Sequence, residues 1–159
     1  MPAARLLLTL VVVLAAATGR AGDAADANLD ILRSTIRANK KALVAANLTL
    51  TDDEAAKFWS LYDEYQKELT GVNDRLVALI QDYTTHYAEL TDEHALKLAD
   101  QYLGVEEDRV KVRRGYLPQF GKILPGRKVA RFFQIENKME AVVRYDLASG
   151  IPVVDEAAR

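Results

Sequence analysis

The chain has no cysteine, and its 159 residues include only four prolines and eight glycines. Without cysteine there is no disulfide framework, no thiolate metal site and no cysteine nucleophile. The three serines (Ser34, Ser60, Ser149) are scattered, none of them in the Gly-x-Ser-x-Gly setting of a nucleophile elbow, and there are only two histidines. Acidic pairs are plentiful but fall on polar helix faces. No catalytic residue is assigned on this basis, and the chain is expected to be neither an enzyme nor a cofactor carrier. The scarcity of proline and glycine also leaves room for long uninterrupted elements.

The longest apolar run is Leu6 to Ala17, twelve residues after Arg5 and followed by small residues. A membrane-spanning helix takes about 20 such residues, whereas a secretory signal needs fewer. Residues 1–25 are therefore expected to be a signal peptide, cut between Gly19 and Ala25, and residues 26–159 a single all-helical domain. Removing residues 1–21 leaves 19 basic and 23 acidic residues, a formal charge of −4. That balance argues against nucleic acid as a partner, because such binding favours a basic footprint, and no stable membrane insertion is expected after cleavage. About 135 residues are enough to bury a core without a covalent staple.

Helical periodicity dominates the rest, and no strand is expected. A first helix is expected over Leu29 to Ala45, with Leu29, Leu32, Ile36 and Leu43 at helical spacing and an interrupted pattern suited to an edge element. Thr51 and Glu54 read as a capping box opening the second helix. Apolar residues then recur at Phe58, Tyr62, Tyr65, Leu69, Val72, Leu76, Leu79, Tyr83 and Tyr87, in steps of three and four that hold one stripe through Gly71. Thr91 caps a third helix from Asp92, with its stripe at Ala95, Leu98, Tyr102, Val105, Arg109-Val110, Leu117, Phe120 and Leu124 and a kink expected at Gly115 and Pro118. A fourth runs from Pro125 to about Ala148, with Val129, Phe132, Ile135, Met139, Val142 and Tyr145 on one side. The fold class is thus all-α: an elongated antiparallel hairpin of long amphipathic helices, joined by the short segment Ala88 to Thr91, plus a first and a last helix.

Four tyrosines on the second-helix stripe have two readings, as core or as a half-wet face for another protein. Phe58, Tyr62, Tyr65, Leu69, Phe132 and Phe133 are the candidate contacts for a protein client or for a second copy of the chain. Asp82 and His86 stand one helical turn apart with Glu89 and His94 beyond, so nitrogen and oxygen ligands could converge there; the signal is weak, solvated polar residues near a helix end are its default reading, and no metal ligand is assigned. The basic cluster Arg109, Lys111, Arg113 and Arg114 follows Glu106, Glu107 and Asp108 and reads as a self-paired, solvated face.

Leu50-Thr51-Asp52-Asp53-Glu54 and Leu90-Thr91-Asp92-Glu93-His94, each opening a long helix in an exported chain of this size, resemble the paired LTxxQ motifs of the periplasmic Spy/CpxP-like proteins. Glu54 and His94 stand where that family has glutamine, and Leu124 to Lys128 matches less. The resemblance covers residues 30 to 148 and rests on layout more than identity. It implies a thin, curved four-helix dimer in the bacterial periplasm that works without ATP, as a holding chaperone for unfolded clients or as an accessory to an envelope-stress sensor; some relatives are linked to zinc resistance. The alternatives are a structural or sensor-inhibitor subunit that binds one folded partner, and a zinc-binding stress protein.

Overall fold

The computed structural model describes residues 40–155, all within a compact unit that begins at Lys40. The expected signal peptide and the first part of the Leu29 to Ala45 helix lie outside the described residues. What is described of that helix, α1, covers 40–47. It is followed by α2 (Asp52–His86), a 3-10 turn (Tyr87–Glu89), α3 (Asp92–Ile123) and α4 (Gly126–Gly150). Among the described residues the protein is all-α, with four α-helices and no strand.

The helix starts follow from local chemistry. The Thr51 hydroxyl accepts from the Glu54 N–H at 3.3 Å, while the Glu54 carboxylate accepts from the Thr51 N–H at 2.8 Å, so both halves of a capping box are present. At α3 the Thr91 hydroxyl accepts from the His94 N–H at 3.2 Å. Pro125 precedes α4 as its N-cap, and its carbonyl receives the N–H groups of Lys128 and Val129. The 35 residues of α2 continue through Gly71, a length of about 50 Å at 1.5 Å per residue. α3 continues through Gly115 and Pro118 to Ile123.

Cross-helix contacts fix the directions. Asp82 meets His94, Asn73 meets Arg109, Glu68 meets Tyr116 and Phe58 meets Phe120, so α2 and α3 form the antiparallel hairpin. Glu54 meets Lys128, Phe58 meets Phe132 and Gln66 meets Glu136, so α4 runs parallel to α2. Lys41 pairs with Asp63 and Lys40 with Gln66, so α1 runs antiparallel to α2.

The core lies at the end away from the hairpin turn, formed by Val44, Leu48, Phe58, Tyr62, Tyr65, Leu69, Tyr116, Phe120, Leu124, Val129 and Phe132. The rings interlock: Phe132 meets Phe58 edge to face at 5.2 Å and 88° and Phe120 at a tilt, at 4.7 Å and 54°. Each such pair adds about 0.5–1.5 kcal/mol beyond the area it buries. α1 is part of this core and not a loose edge, because Val44 and Leu48, four residues apart, are both buried and Arg131 Nε donates to the Asn47 carbonyl at 2.6 Å.

Three stripes need correction in register. Val44, not Leu43, points inward on α1. On α3 the buried residues are Leu98, Val105, Arg109, Tyr116 and Phe120, while Val110 and Leu117 are exposed. On α4 Glu136 is buried whereas Val142 and Tyr145 are exposed. On α3 and α4, counting apolar residues as inward fails at Arg109 and Glu136 because these inward positions carry charges that find partners.

Candidate functional site

Five of the six residues proposed from sequence as a client or dimer face are core. Phe58, Tyr65 and Phe132 have no exposed surface, Tyr62 is 2% and Leu69 4% exposed, and Phe133 is half-buried against the same cluster. A side chain enclosed on every side touches another protein only if the bundle opens; in the closed bundle five of these residues belong to the core and Phe133 lies against it. Burial pushes the Tyr62 and Tyr65 phenols far up, with the nearby Glu136 carboxylate adding to it. Burial likewise pushes the Tyr116 phenol up, to about 12, as does its hydrogen bond to Glu68.

Below the aromatic core the inward positions become charged. Glu136, 1% exposed, is met by Lys40 Nζ at 2.9 Å and by Gln66 Nε2 at 3.2 Å, both on Oε2; its Oε1 has no hydrogen-bond partner. The next layer joins α3 to α4: Arg113 reaches Glu140 at 2.6 Å, and Arg144 reaches Glu140 at 2.9 Å and Glu106 at 2.5 Å. Arg109 donates to Asn73 Oδ1 of α2 at 2.7 Å and lies 3.4 Å from Glu140. Burial disfavours the Arg144 guanidinium, but the Glu106 and Glu140 carboxylates outweigh it and its pKa rises. The basic cluster read as solvated is therefore split: Arg109 and Arg113 face inward and tie three helices together, and Lys111 remains outside near Asp108.

Beyond this charged belt, at the hairpin end, the helices part around an open apolar cleft of about 470 Å³. α2 contributes Leu76, Leu79, Ile80 and Tyr83; α3 contributes Ala95, Leu98, Ala99 and Tyr102; α4 contributes Leu147 and Ala148. Glu106 and Arg144, already bonded to each other, are the charged residues of its wall. Leu90, just before α3, and Ile151 and Val154, which follow α4, complete the lining, and the segment after α4 is held by hydrogen bonds from the Tyr83 hydroxyl to the Pro152 carbonyl at 2.8 Å and from the Tyr87 hydroxyl to the Val153 carbonyl at 2.9 Å. The stripe alone did not disclose the cleft. The signal available was the alanine at the cleft-lining positions 95, 99 and 148, whose single methyl cannot fill the space that leucine or phenylalanine fills nearer the core.

A second apolar surface, exposed among the described residues, is on the outside of α3. Leu96, Leu103, Val110 and Leu117 recur every seven residues and are 73%, 60%, 51% and 50% exposed. At about 100° per residue this row faces away from the buried Leu98 and Val105.

At the hairpin turn, Asp82, His86 and His94 come together. His86 Nδ1 is 2.8 Å from Asp82 Oδ1 and 2.9 Å from the Asp82 main-chain carbonyl; His94 Nε2 is 3.2 Å from Asp82 Oδ2; the two rings are 5.0 Å apart. The His94 bond holds the Asp82 carboxyl below its ordinary value, and the Asp82 carbonyl raises His86. Glu89, the fourth residue of the sequence pattern, is not part of the cluster.

No protein-family model, no curated protein and no solved structure matches this chain. Among the described residues no helix is long and apolar enough to cross a membrane. Fold and site together define an all-helical bundle with a closed aromatic end and an open apolar end.

Proposed function

We propose that this chain is an exported, non-catalytic binding protein that holds apolar segments of other proteins, without ATP, in the cleft at its hairpin end. The observation that carries this reading is the cleft itself. Its wall is nearly all hydrocarbon and its two charged residues, Glu106 and Arg144, are already paired with each other, so it offers an occupant mainly apolar burial. Such a surface suits an uncharged run of leucine-like or aromatic side chains, as in a non-native chain. Long helices opened by the Leu50-Thr51 and Leu90-Thr91 segments agree with the Spy/CpxP-like resemblance. The periplasmic destination rests on Arg5 and the run Leu6 to Ala17.

The test is suppression of aggregation of a chemically unfolded model protein by the full chain in the absence of ATP. Suppression that is lost in Leu147→Glu, which puts a charge in the cleft, and kept in Leu103→Glu supports the reading. No suppression by a well-folded chain, or equal activity of both variants, sinks it.

A second reading is favoured by the outer α3 row. Large apolar residues at strict seven-residue spacing make a seam for another helix, which suits a homodimer or one folded partner. In that case Leu103→Glu changes the sedimentation behaviour of the chain or releases a stoichiometric partner, and Leu147→Glu does neither.

A further inference from the structure

We propose that Asp82, His86 and His94 form a binding site for one divalent transition-metal ion of the zinc class, at the turn joining α2 to α3. This site stands apart from the apolar cleft and does not depend on what the cleft holds.

The geometry is close to what such an ion requires. One ligand atom from each residue lies within 4.8 Å of the other two. Donors bound to zinc at about 2.0–2.2 Å around a tetrahedron stand roughly 3.3 Å from one another. The Asp82 carboxylate already meets both imidazoles, His86 through Oδ1 at 2.8 Å and His94 through Oδ2 at 3.2 Å. Bringing one Asp82 oxygen and the two imidazole nitrogens to a common spacing takes small rotations about the side-chain bonds of the three residues. A fourth position is left for water.

Both halves of the site stand on fixed supports. Asp82 and His86 are one turn apart at the end of α2, so their side chains share a face. His94 is in the first turn of α3, whose start Thr91 fixes by accepting its N–H. At the start of α2 the equivalent residue, Glu54, bends back to its own N-cap; His94 instead spans the connection to Asp82.

Charge along the chain points the same way. From Leu76 to Leu96 there is no lysine or arginine, whereas Asp82, Glu89, Asp92 and Glu93 are present with both histidines of the protein. A cation entering there meets no neighbouring cation from its own segment. Two imidazoles and one carboxylate form a borderline donor set that favours zinc, copper or nickel over magnesium and calcium, which prefer oxygen alone.

The experiment is calorimetric titration of the full chain with Zn²⁺, with Mg²⁺ as the hard-cation control, followed by NMR of the two histidine rings. The expected result is saturable 1:1 binding of Zn²⁺ and none of Mg²⁺, with both rings shifting over the same equivalent. His94→Gln and Asp82→Asn should each weaken binding more than about tenfold. Glutamine at 94 can complete the capping box, so this variant keeps the start of α3 while removing a ligand. Absence of a 1:1 isotherm, equal response to Mg²⁺, or undiminished binding in both variants overturns the site.

Discussion

The two ends of α2 carry the same apolar stripe and end in opposite states. From Phe58 to Val72 every stripe residue is buried, whereas Leu76, Leu79 and Tyr83 are only half-buried and face an open cleft. The difference is not in α2 but in what faces it. Near the start of α2, Phe120 and Phe132 fill the centre and α1 adds Val44 and Leu48. Near its end, α3 and α4 offer alanines, and the arginine–glutamate layer between the two regions ends the aromatic packing. One amphipathic pattern therefore makes a core or a binding surface according to the size of its partners.

The largest effect expected is Phe132→Ala. It removes a fully buried ring and leaves a cavity among five others, at a cost of about 3–5 kcal/mol, while Leu79→Ala at the open cleft should cost only about 1 kcal/mol because part of its surface is already exposed to water. Urea denaturation of the two variants decides this, and equal losses would abolish the distinction between the ends. Next comes Lys40→Met, which leaves the enclosed Glu136 carboxylate without its cation. Breaking a buried pair from one side costs about 3 kcal/mol, read by the same denaturation curves, and a neutral result would mean that Glu136 is not held by α1.

Smaller effects sharpen the contrast between the two helix starts. Thr51→Ala loses an N-cap worth about 1 kcal/mol, and it should cost more than Thr91→Ala, because only Thr51 takes part in a reciprocal capping box. Thermal melts of both variants rank them. The last prediction concerns pH. The Lys128 ammonium and the Thr51 N–H hold the Glu54 carboxyl below its ordinary value of 4.5, so the stability it contributes is present above that pH and lost as pH falls through the lowered folded value. Wild type and Glu54→Gln should therefore converge in urea stability on acidification from pH 7 to pH 3. A gap that widens would show the shift to have the opposite sign.

Much of the fold was legible because it depends on neighbours in sequence. Thr51 with Glu54, Thr91 before Asp92 and the step pattern of α2 are local signals, set by hydrogen bonds and side chains three or four residues apart. The register of the other helices was not. Leu43, Val110, Leu117, Val142 and Tyr145 look like core residues, yet Val44, Arg109, Tyr116 and Glu136 take the inward positions. A charged residue can point inward when a helix distant in sequence supplies its counter-charge, as Lys40 does for Glu136 and Asn73 and Glu140 do for Arg109.

The candidate site divides in the same way. Asp82 and His86 were legible as a pair one turn apart. That His94 joins them and Glu89 does not depends on the angle at which α3 leaves the turn. The sequence by itself determined the helices, their caps and the hairpin, because those follow from propensity, capping and spacing along one chain. Only the tertiary structure decided which end is sealed and which is open, because that depends on whether the volumes facing a stripe add up to a filled layer, and those volumes come from residues up to 74 positions away, as from Phe58 to Phe132.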